Sequence, residues 1–177
     1  MSIRRRWFLL AAVTSLLSSQ SVPADILDDG VYVIAATDLA ADAAIAEQEK
    51  IVILLEFAAE DCPYCTLLEE EFLKPMLRSG DYDNKVMMRV VDIGREITIT
   101  DFQGIRSSTT ALARRFDVDL TPTILLVDSR GRPIGERIVG IWSLDFFGGL
   151  LDERIDAAVA QVKQANEFRR PDRPDDR

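Results

Sequence analysis

Two residues in this chain of 177 can do redox chemistry, and they stand together. Cys62 and Cys65 are its only cysteines, in the run Cys62-Pro63-Tyr64-Cys65. Ahead of them lies an apolar stretch, Ile51-Val52-Ile53-Leu54-Leu55-Glu56-Phe57, then a short loop ending in Asp61. A strand, a loop and a helix opening inside the motif would put Cys62 at a helix N-terminus. Unpaired backbone N–H groups and the helix dipole favour an anion there, so a thiolate at Cys62 is stabilised and nucleophilic near neutral pH. Pro63 suits the first helical turn, where its missing N–H would have had no partner. Cys65, nearly one turn on, is within reach of a small disulfide ring.

Two other uses of the pair are weaker. Half a zinc site would need two more soft ligands, and the chain holds no other cysteine and no histidine. A purely structural disulfide closing so short a loop restrains the unfolded chain little. Lacking histidine, the protein also cannot build a His-based triad. Its net charge of −9 argues against a nucleic-acid partner.

The elements that must position the pair can be read along the chain. Val31-Tyr32-Val33-Ile34 is an expected edge strand, and Asp38 caps a helix reaching about Glu49. The strand Ile51–Phe57 is apolar on both faces, as a central strand covered on both sides would be, with Glu56 its one exception. The motif helix carries Leu67, Leu68, Phe72 and Leu73 on its apolar side, with Glu69-Glu70-Glu71 mostly solvated. Pro75 should kink or end it. A turn over Asp81–Lys85 leads to a second central strand, Val86–Val91. Ile97–Thr100 and the turn Asp101–Gly104 predict an inserted hairpin or ordered loop. Ser107 or Ser108 caps a helix through Phe116, with Leu112, Ala113 and Phe116 inward. After a bend at Asp119–Pro122 come the strand Thr123–Val127, a turn at Asp128–Gly131 and an antiparallel strand Pro133–Val139. Ser143 caps a last helix from Leu144 to about Gln164. The domain is expected over residues 25–165, with a disordered polar tail over 166–177.

Residues 1–24 read as a signal peptide. Arg4-Arg5-Arg6 is a basic start, Trp7–Leu17 an apolar stretch, and Val22-Pro23-Ala24 a small-residue site for cleavage after Ala24. The apolar run is short for an uncleaved membrane anchor. Arg5-Arg6-Trp7-Phe8-Leu9 also has the look of a twin-arginine signal, and the choice between export routes stays open. Export implies a compartment where disulfides persist, here the periplasm. Removing the three arginines leaves 18 basic residues against 30 acidic ones, a net charge of −12.

With Cys-x-x-Cys after the first central strand and Thr121-Pro122 opening a strand some 60 residues later, the chain resembles a thioredoxin-fold oxidoreductase. The likeness runs from about Asp38 to Gln164. It implies an α/β architecture, the thioredoxin fold, with a central mixed sheet and helices on both faces. Cys-Pro-Tyr-Cys is the dipeptide type of glutaredoxins, and Thr before the proline is similar to periplasmic disulfide isomerases. The segment Asp92–Phe116 resembles secreted thioredoxin-like proteins linked to bacterial sulfur oxidation. Asp61 stands where thioredoxin has Trp.

The resemblance assigns roles. Cys62 is the attacking thiol and Cys65 the resolving one, while Pro63, Tyr64, Thr121 and a cis Pro122 contact the substrate. Thioredoxin has a buried Asp six residues before its first Cys, and Glu56 stands six before Cys62, so Glu56 takes the place of the proton acceptor. Alternatively its longer stem reaches water from the strand end. The implied function is periplasmic reduction of disulfides in partner proteins, without a cofactor or metal, by a monomer that a membrane electron-transfer protein re-reduces. An isomerase, an oxidant, a non-catalytic peptide-binding module and an iron–sulfur-ligating module are the other uses of such a chain.

Overall fold

The computed structural model describes residues 30–168. The expected signal peptide, and the tail beyond residue 168, lie outside them. Strand β2 (Val52–Ala58) is the centre of a five-stranded sheet in the order β1-β3-β2-β6-β7. It runs parallel to β3 (Val86–Asp92), which in turn is parallel to the short edge strand β1 (Ile34–Ala35). On its other side β6 (Thr123–Val127) is antiparallel, followed by antiparallel β7 (Ile138–Val139).

Every residue of β2 is buried because both faces of the sheet are covered. Alternation sends Ile53, Leu55 and Phe57 to one face, where helices α1 (Leu39–Glu49) and α4 (Thr109–Arg115) supply Leu39, Ala43, Ala46, Leu112 and Ala113. Val52 and Leu54 point to the other face, against Leu68 and Leu73 of the motif helix and Phe147, Leu151 and Ile155 of α5 (Leu144–Phe168). Each of the Val, Leu, Ile and Phe side chains contributes about 1.5–3 kcal/mol by leaving water. Glu56 belongs to this second face.

Local signals behave as their chemistry requires. Asp38 caps α1 by accepting from the Ala41 N–H at 3.0 Å, and Ser108 caps α4 by accepting from Ala111 at 3.2 Å. Asp42 of α1 and Arg89 of β3 form a largely buried bidentate pair, at 2.7 and 2.9 Å, that fastens helix to sheet.

The motif helix departs from a simple kink. It runs as α2 (Pro63–Leu68), a π turn (Glu69–Leu73) and α3 (Lys74–Ser79) without ending at Pro75. Pro75 has no N–H for the carbonyl four residues back, and a regular turn would drive its ring into that carbonyl. The helix widens instead: the Lys74 N–H donates to the Glu69 carbonyl five residues earlier. Buried positions then fall at Cys65, Leu68, Leu73 and Met76, and the five-residue step marks the extra residue.

The expected insertion is a hairpin, β4 (Thr98–Thr100) with β5 (Arg106–Ser108), so Ser107 and Ser108 finish a strand before Ser108 caps the helix. Asp101 holds its turn by accepting from the N–H groups of Gln103 and Ile105, both at 2.9 Å. Phe102 of this turn is buried against Gly131, where an added Cβ would lie 2.5 Å from the ring. Gly131 also has φ +71°, so closeness and backbone both call for glycine there. The strand expected over Pro133–Val139 is shorter. Pro133 makes one bridge to Val127, Gly135 at φ +70° bends the chain away, and pairing resumes at Ile138. Helix α5 extends past Gln164 to Phe168. Among the described residues no helix is long and apolar enough to cross a membrane.

Candidate active site

Register alone brings the candidate residues to one end of the sheet. Ala58 closes β2 beside Asp92 at the end of β3, and Phe57 stands opposite Thr123 at the start of β6. Thr123 in turn pairs with Val139 at the end of β7. The loops 59–62, 93–95, 120–122 and 140–142 therefore leave the sheet at a common edge.

On the first loop, Cys62 is the N-cap of α2 and Pro63 occupies the first turn. Cys62 and Cys65 are joined in a disulfide. The Cys62 carbonyl accepts from the N–H groups of Cys65 at 3.0 Å and Thr66 at 3.2 Å, and the Cys65 N–H also reaches Cys62 Sγ at 3.1 Å. The two sulfurs are unequal. Cys62 is half-buried, whereas Cys65 is only 3% exposed and packs into the layer between helix and sheet. Pro63 and Tyr64 face outward, Tyr64 with 59% exposure.

Thr121 and Pro122 lie on the loop entering β6, joined by a cis peptide bond. Thr121 is half-buried and Pro122 buried. The Pro122 carbonyl accepts from the Gly140 N–H at 2.8 Å, which ties this loop to the one after β7. Leu120 and Trp142 flank that tie, 59% and 66% exposed. A third wall comes from the loop after β3. Asp92 accepts from the Gly94 N–H at 2.9 Å and pairs with Arg95, whose guanidinium also approaches Glu60 at 3.8 Å. Gly94 lies so close to Ala59 that a Cβ would meet the alanine methyl at 3.2 Å.

Glu56 is fully buried, and neither of its carboxylate oxygens has a hydrogen-bond partner. It does not reach water from the strand end. Its cross-strand neighbours are Val90 and Ile124, so nothing beside it in the sheet offers a charge or a donor. Burial raises its pKa to about 8 from an ordinary 4.5, and the nearby carboxylate of Glu69 adds to the rise. Glu69 was expected in solvent with its two neighbours. It is half-buried, and burial raises its own pKa, with Lys74 acting in the opposite direction and Glu70 adding to the rise.

Sequence reasoning did not single out Gly140, Trp142, Arg95 or Glu69. The first three sit at the site only because strand register gathers the loops there. Glu69 hid in a row of three glutamates, and only the wide turn after it separates its surroundings from theirs.

The sequence matches the thioredoxin-like domain family over residues 37–155. The chain belongs to the thioredoxin-like family. No curated protein matches it. Its fold is similar to that of the oxidoreductase DsbH, with a TM-score of 0.54 at 16% identity, covering 84% of this chain and 95% of that one. Oxidised mitochondrial thioredoxin 3 of Saccharomyces cerevisiae is similar at 18% identity with a TM-score of 0.48, over 70% and 93% of the two chains. A thioredoxin-fold protein from Helicobacter pylori is similar at 23% identity and a TM-score of 0.42, over 66% and 86%. At such identities structural likeness speaks for the fold alone. The family, together with the Cys62–Cys65 pair, makes this thioredoxin-like chain a thiol–disulfide oxidoreductase.

Proposed function

We propose that the protein works in the periplasm and reduces disulfides in partner proteins. The observation that carries this reading is the unequal exposure of the two cysteines: an accessible Cys62 at a helix start and a shielded Cys65 behind it. Such a pair suits a two-step exchange. The Cys62 thiolate attacks one sulfur of the partner's disulfide, forming a mixed disulfide and releasing the partner's other sulfur as a thiolate. Cys65 then loses its proton and attacks Cys62 Sγ. The Cys62–Cys65 bond forms, the bond to the partner breaks, and the partner leaves with the electron pair as a second thiolate. A membrane electron-transfer protein returns two electrons and restores the dithiol.

Pro63, Tyr64, Thr121 and Pro122 form the surface on which an extended substrate segment docks, with Thr121 offering its backbone for strand-like pairing. Glu56 takes the proton from Cys65. A buried carboxyl whose pKa lies near 8 is close to balance at the pH where it works, so it accepts and returns a proton at little cost. The N-terminal sequence supports the periplasmic setting, through its basic start, apolar run and small-residue cleavage site. The acidic charge and the absence of basic clusters near the motif fit a protein partner better than a nucleic acid.

Trapping tests this function. Cys65→Ser removes the resolving thiol, so mixed disulfides with physiological partners should accumulate on Cys62 in periplasmic fractions and dissolve on adding reductant. A reactive Cys62 that traps no protein in this variant would show that protein disulfides are not the substrate.

A further inference from the structure

We propose that the reduced protein acts on disulfides in cationic protein segments, those with Lys or Arg beside the attacked cysteine and an apolar side chain close by. The inference rests on the reading above, in which Cys62 attacks a disulfide of a partner protein, and it names the class of that partner.

The argument starts from charge at the site end of the sheet. Phe57 of β2 stands opposite Thr123 of β6. Asp61 comes four residues after Phe57 and Asp119 four before Thr123, so two carboxylates extend from adjacent strands past one edge. Asp61 is joined directly to Cys62, and Asp119 stands two residues before Thr121. Both are exposed, and among the described residues neither side chain takes part in a hydrogen bond or ion pair. The loop after β3 does not offset them. Its one cation, Arg95, bonds Asp92 at 2.7 and 2.8 Å and lies 3.8 Å from Glu60, so two carboxylates already face one guanidinium. Over residues 59–62, 92–95 and 119–122, four carboxylates stand against that single guanidinium, and residues 140–142 bring no charge.

Exposed apolar side chains share this end: Tyr64 in the first turn of α2, Leu120 next to Asp119, and Trp142 after β7. Apolar groups give affinity once a partner dries them, whereas charges act at longer range and choose among partners. A mixed disulfide holds the attacked cysteine on Cys62, next to Asp61. Residues beside that cysteine then come to about the 8 Å over which charges are felt at physiological ionic strength. Lys or Arg is attracted there, and Asp or Glu is repelled. The same charge repels an anionic lipid surface, so the apolar rim serves a protein segment.

The probes are three synthetic peptides, each closed by one disulfide and carrying one Phe, with Lys, Gln or Glu on both sides of each cysteine. Pre-reduced protein is mixed with each, quenched in acid and followed by mass spectrometry. The protein dithiol becomes the Cys62–Cys65 disulfide, and the peptide gains two electrons and two protons as its own dithiol. Each rate constant is divided by that of dithiothreitol on the same peptide. The Lys peptide should exceed the Glu peptide by about tenfold or more at low salt, with Gln between, and the ratio should approach one in about 1 M salt. Asp61→Asn combined with Asp119→Asn should reduce the low-salt ratio to about threefold or less. Any change in Cys62 reactivity cancels, because the ratio compares two peptides on one protein. Equal rates on the Lys and Glu peptides overturn the proposal, as does a ratio that salt or the double variant leaves intact. Sedimentation of the protein with phosphatidylglycerol vesicles would overturn the assignment of the rim to proteins. Wild-type protein that reduces none of the peptides would instead overturn the redox reading on which the proposal rests.

Discussion

The backbone N–H of Cys65 lies 3.1 Å from Cys62 Sγ, so the sulfur at the helix start has a donor from the residue that will later attack it. Charge-assisted bonds of this kind are stronger than neutral ones and favour the thiolate over the thiol. Cys65 has no comparable opening to solvent. In reduced protein, pulse alkylation at mild pH should label Cys62 at least about tenfold faster than Cys65. Mass-spectrometric mapping checks this, and preferential labelling of Cys65 would reverse the assignment.

Glu56 makes stability depend on pH. Its folded-state pKa of about 8 lies above the ordinary 4.5, so between those values the folded protein holds a proton that the unfolded chain has lost. Stability is therefore greatest below the lower value, falls as pH rises between the two, and levels off above about 8. The full loss is on the order of 3–5 kcal/mol. Glu56→Gln should flatten this slope and stabilise the protein by roughly 2–4 kcal/mol at pH 9, with little change at pH 5. Urea melts at the two pH values read both effects. Parallel pH dependence in the variant and wild type would mean that Glu56 ionises at no cost.

The exposed apolar rim should matter to proteins and not to small molecules. Tyr64, Leu120 and Trp142 are exposed on the motif helix and on loops that leave the sheet at the same end as the half-buried Cys62. Aromatic anchors at interfaces commonly contribute about 1–2 kcal/mol or more each. Replacing Tyr64 and Trp142 together by Ala should lower kcat/KM for a protein disulfide by about tenfold or more and leave a small aromatic disulfide unaffected. Equal losses on both substrates would place the effect at the sulfurs themselves.

Gly131→Ala tests the inserted hairpin. The new methyl would collide with the Phe102 ring while its backbone sits at φ +71°. The expected destabilisation is about 2–4 kcal/mol, and Phe102→Ala in the same chain should relieve part of it. Additive losses in the double variant would mean that the two turns do not press on each other.

Much of this was legible beforehand, for physical reasons. Apart from Glu56 the central strand is apolar on both faces, the pattern of a strand covered on both sides of a sheet at Val52–Phe57. Caps such as Asp38 and Ser108 announce their helices because their side chains bond the first free N–H groups. Strand β5 was missed because Arg106-Ser107-Ser108 has no apolar alternation; backbone pairing with β4 holds it in place. Pro75 signalled a disturbance, but whether a helix ends, bends or widens at a proline depends on what the next turn can bury. Here Leu73 and Met76 made widening worthwhile. The two carboxylates at the site show the same divide. The place of Glu56 follows from strand alternation, whereas that of Glu69 depends on a turn type that no local pattern encodes.

The most direct measurement is a redox titration of the Cys62–Cys65 pair against defined thiol buffers, read by alkylation of the free thiols. A protein that reduces its partners must hold its dithiol at a potential low enough to give electrons away. The expected midpoint lies below about −200 mV, on the side of thioredoxin at about −270 mV. A midpoint above about −150 mV, near the strong oxidants at about −120 mV, would contradict the proposed direction of electron flow.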